Sequence, residues 1–350
     1  MVNLVWSCSP EESLWISSIN PQIEYMGRIG EINIDTTKEL YWSGTSIKIS
    51  FEGKFLNAIF EDENGDNFYN IIVDDDEPYI LQLDSNKKSY NLCELEFGKH
   101  TVEIFKRTEW DRGKTIFFGF QIDKKGSLLP KSAKKRKIEF YGNSITAGYA
   151  VDDYEGKDRS EGVYTNNYLS YAAITARHYD AEYVATVKSG IGIMVSWFPV
   201  TMPEIFDRIN PNDSLSLWDF SKYQPGIVVI NLFQNDSWIV NMPENESFKL
   251  KFGDEKPDEQ FIINSYKKFV YEIRNKYPSS NIICMLGNMD ITKEGSPWPG
   301  YVKQAVMQLN DDKVYTFVVP YKNTPGHPDV KEQEEMVNSL IEFIDKNIIW

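Results

Sequence analysis

The hydrophobic rhythm of this chain changes once, near residue 130, and that change constrains the fold more than any other feature. Ahead of it, apolar residues alternate with polar ones, the period of a strand with one buried face. Ser46–Glu63 (SIKISFEGKFLNAIFEDE), Asn67–Asp84 (NFYNIIVDDDEPYILQLD) and Lys99–Trp110 (KHTVEIFKRTEW) all carry it. Glu-Gly at 52–53, Asn-Gly-Asp at 64–66 and Phe-Gly-Lys at 97–99 read as turns between them. Six or more short strands without a helix predict an all-β jelly roll or β-sandwich over residues 1–130. The acidic run Asp74-Asp75-Asp76 reads as a hairpin turn on a solvated edge, not a calcium loop.

The basic stretch KSAKKRK (131–137) reads as a solvated linker, placed at residues 131–136. From 137 to 350 strands alternate with helices. KIEFYG (137–142), YVATVKSG (183–190), GIVVINLF (226–233), NIICMLGN (281–288) and KVYTFVV (313–319) read as strands. Helices are expected over 168–183, 261–277 and 330–348. Such alternation predicts a second, three-layer α/β domain with a five-stranded parallel sheet covered by helices on both faces.

Composition removes several functional classes. Lysine and arginine number 37 against 52 aspartates and glutamates, a net charge of −15, which repels phosphate backbones and anionic lipid. Neither nucleic acid nor a membrane surface is expected as a partner, and runs such as Ile227–Phe233 are too short to span a bilayer. Association with further copies of the chain stays open. Cys8, Cys93 and Cys284 are too scattered for a metal clamp or a disulfide framework. No metal or organic cofactor is implied. The N-terminus, MVNLVWSCSPEESLW, lacks a basic segment followed by an apolar one, so a cytoplasmic protein is expected.

In an open parallel sheet, ligands bind beyond the carboxyl ends of the strands. Read to their ends, the five strands deliver Gly142-Asn143-Ser144, Lys188-Ser189-Gly190, Phe233-Gln234-Asn235-Asp236, Gly287-Asn288-Met289-Asp290 and the segment Tyr321–Pro328 with His327. A serine, a glycine turn, an asparagine and a histidine suit acyl transfer: a hydroxyl nucleophile, an imidazole base, and N–H donors for the oxyanion. Of three histidines, His100 lies in a strand of the first domain and His178 within a helix, leaving His327 as the base. Ser144 competes with a plain helix cap. Gly192 rivals Gly190, although the Ser189-Gly190 pair favours the latter. Trp197, Trp238 and Trp298 follow sheet tips, where an indole either stacks on a sugar or packs; Trp298, between Pro297 and Pro299, is slightly favoured for stacking.

Gly142-Asn143-Ser144-Ile145-Thr146 resembles the first block of the SGNH (GDSL) hydrolase superfamily. Gly190, Asn235-Asp236 and His327-Pro328 match its second, third and fifth blocks in order. In the first half, Ile23–Arg28, Trp42-Ser43-Gly44-Thr45-Ser46 and Phe105-Lys106-Arg107-Thr108-Glu109 resemble carbohydrate esterase family 2, in which a jelly roll precedes an SGNH domain. The resemblance implies a serine esterase that removes acetyl groups from plant polysaccharides, with Ser144 and His327 catalytic and Ser144, Gly190 and Asn235 forming the oxyanion hole. The alternatives are an esterase for another short acyl group and an inactive carbohydrate-binding protein.

Three positions depart from the pattern. Asn143 replaces the block-one aspartate, Phe233 replaces the third-block glycine, and Pro325 stands where the triad aspartate is expected. Some family members lack that acid and use a backbone carbonyl to orient the imidazole, so a dyad is expected here too. Asp329 should turn towards its helix N-terminus. Asp236 and Asp290 are the other carboxylates considered able to reach the ring.

Overall fold

The computed structural model describes residues 13–31 and 37–350; the N-terminal stretch read for a signal, with Cys8, lies outside the described residues. By its contacts the chain divides into two units. The first comprises residues 1–41, 45–106 and 111–133, and the second 42–44, 107–110 and 134–350.

Among the described residues the first unit is a curled antiparallel sheet of ten strands. These are β1 (Ser13–Ser17), β2 (Glu24–Met26), β3 (Ile29–Glu31), β4 (Lys38–Leu40) and β5 (Ser46–Asp62). There follow β6 (Phe68–Val73), β7 (Tyr79–Gln82), β8 (Lys88–Lys106), β9 (Thr115–Asp123) and β10 (Ser127–Leu128). The period-two pattern of β5 sends Ile47, Ile49, Phe51, Leu56, Ala58 and Phe60 inward against Val102 and Ile104 of β8 and Phe117 and Phe120 of β9. Each such side chain contributes about 1.5–3 kcal/mol on burial. The Asn64-Gly65-Asp66 turn is real: Gly65 has φ +70°, and its N–H donates to Asp62 at 2.9 Å. The turns expected at Gly53 and Gly98 are not. These glycines face each other across β5 and β8, next to a register shift, and the two strands run straight through for 17 and 19 residues. A glycine within an alternating run marks a bulge as readily as a turn.

The second unit holds the parallel strands β11 (Arg136–Gly142), β12 (Ala181–Val187), β13 (Ile227–Asn231), β14 (Asn281–Leu286) and β15 (Val314–Val318), in the order β12-β11-β13-β14-β15. Its helices are α1 (Ser144–Ala147), α2 (Tyr171–His178), α3 (Met202–Ile205), α4 (Gln234–Ile239), α5 (Glu246–Phe252), α6 (Glu259–Lys276), α7 (Trp298–Leu309) and α8 (Val330–Asn347). Every residue of β13 is buried, which its unbroken apolar run requires. Helix α2 is shorter than expected, because Ser170 caps its start and the chain turns at Asp180 (φ +47°) into β12. The order reverses about β11, whose neighbours are β12 and β13, so a crevice opens at the carboxyl end of β11. Among the described residues no helix is long and apolar enough to cross a membrane.

Candidate active site

Ser144 begins α1 directly after β11. Asn143 caps the helix by accepting the Ile145 N–H at 3.1 Å, so the capping role weighed for Ser144 falls to its neighbour. Gln333 donates to the Ile145 carbonyl at 3.0 Å and Asn167 to that of Thr146 at 2.9 Å, which holds this single turn of helix from two sides.

His327 Nε2 lies 2.8 Å from Ser144 Oγ. On the other side of the ring, Nδ1 lies 2.8 Å from both carboxylate oxygens of Asp158, and the His327 backbone N–H reaches the same carboxylate at 3.2 Å. A carboxylate only accepts, so Nδ1 carries the ring proton and Nε2 is left to accept from the serine hydroxyl. Tyr149 packs against the imidazole at 4.6 Å between centroids. Burial works against the Asp158 charge. The bonds and charge of His327, with the nearby Lys322 ammonium, outweigh it and hold the carboxyl below its ordinary pKa.

The expected dyad is therefore corrected. No carbonyl takes the ring N–H, and the acid comes from a loop 169 positions upstream. The carbonyl of Pro325 accepts from the buried Lys322 ammonium at 3.1 Å, which also bonds Thr324 Oγ1 at 2.6 Å and faces Glu332 at 3.1 Å. Asp329 forms a capping box with Glu332, its carboxylate accepting the Glu332 N–H at 2.8 Å. Asp290 accepts from Gln234 at 2.7 Å and from the Trp238 indole at 2.8 Å. Asp236 is buried and accepts the N–H groups of Ile193, Met194 and Val195. Burial pushes its pKa up to about 6 despite those bonds.

Asp158 lies in the loop 148–166, closed at its neck by Asn166 N–H to Gly148 O at 3.0 Å and Asp152 N–H to Tyr164 O at 3.1 Å. Inside the loop, Asp153 accepts the Arg159 N–H at 3.0 Å and Nε at 3.1 Å, an ion pair that depresses the Asp153 pKa. Asp158 itself is left-handed at φ +58°.

Gly190 adopts φ +82°, and a Cβ there would sit 3.3 Å from Phe198. The backbone N–H groups of Ser144 and Gly190 have no hydrogen-bond partner among the described residues. Gly192 is different: its N–H donates to Ser196 Oγ at 2.9 Å, and a Cβ would meet the Val195 carbonyl at 2.0 Å. Asn235 is clamped, Nδ2 donating to Ile191 O at 2.8 Å and Oδ1 accepting from Trp197 Nε1 at 3.0 Å, which leaves one amide hydrogen uncommitted. The three tryptophans differ in exposure. Trp298 is 6% exposed and packs edge-on to Phe233, whereas Trp197 is 42% exposed. Trp238 and Trp298 both line a hollow of about 310 Å³, with Asp290, Asn241 and Met242. Among the described residues no three His, Cys, Asp or Glu side chains are grouped to hold a metal ion.

Residues 25–131 match the family model described as Carbohydrate esterase 2 N-terminal. Cellulase/esterase CelE of Acetivibrio thermocellus is 29% identical over 97% of this chain and 41% of its own length. The chain thus spans less than half of that relative. An acetylxylan esterase / glucomannan deacetylase of Cellvibrio japonicus is 24% identical over 98% of this chain and 95% of its own. The solved family two carbohydrate esterase from Clostridium thermocellum, in complex with cellohexaose, superposes with a TM-score of 0.81 at 29% identity, covering 93% of this chain and 98% of that one.

Over nearly its whole length the chain is similar to family two carbohydrate esterases.

At two of the departures from the SGNH pattern the structure places other groups. Asp158 occupies the acid's place, as described. Phe233 keeps the left-handed backbone that a glycine would adopt, at φ +82°, and its buried ring packs on Tyr266 at 4.8 Å and Trp298 at 5.0 Å. Such a conformation costs a non-glycine residue about 1–2 kcal/mol, less than burying a phenylalanine ring returns. Asp158 stands neither beside the histidine nor at one of the later sheet tips, so the sequence pattern of Asp329, Asp236 and Asp290 does not lead to it. The available signal was the acidic loop Asp152-Asp153-Tyr154-Glu155-Gly156-Lys157-Asp158, which leaves the same sheet edge just after the serine.

Proposed function

We propose that this protein is an esterase that removes O-acetyl groups from oligosaccharides derived from plant polysaccharide, of the xylan or mannan type, through an acetyl-enzyme. The observation that carries the reading is the unbroken relay Ser144 Oγ–His327–Asp158 beside uncommitted N–H donors. Ser144 attacks the acetyl carbonyl while His327 Nε2 takes its proton and Asp158 stabilises the imidazolium. The N–H groups of Ser144 and Gly190, with Asn235 Nδ2, receive the oxyanion. His327 returns the proton to the departing sugar oxygen, and the acetyl group stays on Oγ. Water then attacks that ester with His327 again as base, releasing acetate and restoring the serine. Trp197 and Trp238 supply indole faces for the sugar. The names of the relatives and the cellohexaose in one of the solved structures support a carbohydrate substrate.

The test is acetate release from acetylated xylo-, manno- and gluco-oligosaccharides by wild type and Ser144→Ala. Release that vanishes in the variant is expected. Labelling of Ser144 by a serine-directed phosphonate without acetate release from any of them would move the enzyme to another acyl ester.

A further inference from the structure

Two first-half motifs, Trp42-Ser43-Gly44 and Arg107-Thr108-Glu109, belong by contact to the second unit, yet no step of the reaction uses them. The Arg107 guanidinium, 1% exposed, pairs with Asp152 and donates to the carbonyls of Val163 at 2.8 Å and Thr165 at 3.2 Å. Asp152 also accepts Asn166 Nδ2 at 2.9 Å. Asp152 and Asn166 are the residues whose N–H groups close the neck of the loop that carries Asp158. Two residues on, the buried Glu109 carboxylate accepts the Ser189 N–H and, at 2.6 Å, the Ser189 hydroxyl; Lys188 Nζ lies 3.5 Å away. Ser189 directly precedes Gly190. Between these two side chains, the Arg107 carbonyl accepts the Asn167 N–H at 3.2 Å and that of Thr108 accepts Ser43 Oγ at 3.1 Å. Asn167 in turn donates to Thr146 of α1, the helix of the nucleophile.

One short segment therefore grips three parts of the site: the acid loop, the oxyanion turn and the nucleophile's helix. We propose that Arg107 and Glu109 are positioning residues of the esterase, Arg107 setting Asp158 against His327 and Glu109 setting the Gly190 N–H for the oxyanion. This rests on the esterase reading above. Arg107 bonds the acid loop at Asp152, Val163 and Thr165, and Glu109 bonds the Gly190 turn at Ser189. Their effects are expected to couple to different catalytic partners, which a general loss of folding would not produce.

The experiment uses the full chain and 4-nitrophenyl acetate. Arg107→Gln and Glu109→Gln are each made in wild type, in Asp158→Asn and in Gly190→Ala, and kcat and KM are measured separately. Each single variant is expected to lower kcat about tenfold and change KM less than about twofold, the mark of an interaction made in the transition state. In Asp158→Asn the Arg107 effect disappears and the Glu109 effect persists; in Gly190→Ala the pattern inverts. Asp152→Asn, which removes the same ion pair from the loop side, is expected to reproduce Arg107→Gln and serves where that variant does not fold. Additive losses in both backgrounds would overturn the proposal while leaving the esterase reading intact. A wild type without Ser144-dependent turnover of any ester would overturn both.

Discussion

Replacing Asp158 by asparagine tests the relay at its least expected member. Asparagine keeps the size of the side chain and tolerates left-handed backbone, so the loop should hold. What changes is the proton. An amide whose NH₂ faces Nδ1 turns that nitrogen into an acceptor and moves the ring proton to Nε2, where it points at Ser144 Oγ and cannot take the serine's proton. Loss of the triad aspartate costs about 10⁴-fold in a serine protease, an upper bound here because the Asp158 side chain is 36% exposed and water screens its charge. The lower bound is one charge-assisted hydrogen bond, about 1.5–3 kcal/mol, or roughly ten- to 150-fold. With two oxygens at 2.8 Å from Nδ1, a fall in kcat of about 10² to 10⁴ is expected, with KM nearly unchanged. Steady-state hydrolysis of an acetyl ester measures it, with thermal melting as the control for folding. A variant that melts like wild type and keeps kcat within about threefold would show that the carboxylate does not orient the imidazole.

The remaining predictions concern the other acids and the glycine turn. Asp329→Ala should leave kcat within a few-fold, because its carboxylate caps α8, and should cost about 1 kcal/mol in a urea titration; a thousandfold loss of kcat would contradict this. Gly190→Ala forces a side chain to φ +82° against Phe198, so kcat should drop at least about tenfold by displacing an oxyanion donor, and full activity would remove Gly190 from that role. For Asp236, a folded pKa near 6 lies above its unfolded value, so the native state holds the extra proton between about pH 4 and 6. This group therefore makes stability fall as pH rises through that window. Asp236→Asn should be less stable overall and should lose that slope, as urea titrations at pH 4.5 and 7 would reveal; an unchanged slope would refute the assignment.

Much of this site is legible in the order of the strands. Each parallel strand ends at one edge, so the residue after each apolar run is already placed, and Ser144, Gly190, Asn235 and His327 stand at or just beyond those ends. The acid escaped because a loop has no period. Asp158 is held by bonds between its own loop and Arg107, a residue of the first half, and no spacing rule links these positions to His327. Gly53 and Gly98 misled for a related reason. Whether a glycine turns a strand or bends it depends on the residue opposite, and here the residue opposite is the other glycine. Trp298 and Trp197 differ in exposure because of what packs beside them, which tryptophan content cannot show.

The buried ring of Phe233 has a consequence for how the enzyme fails on heating. It lies two residues before Asn235 and is wedged between Tyr266 of α6 and Trp298 of α7. The turn that presents the oxyanion amide therefore cannot loosen without opening the hydrophobic layer beneath the sheet. Amide hydrogens around Asn235 should exchange only through global opening, while those of the loop 148–166 exchange through smaller, cheaper fluctuations. Thermal inactivation would then begin as a reversible loss of the acid loop, with the oxyanion turn surviving until the domain itself melts.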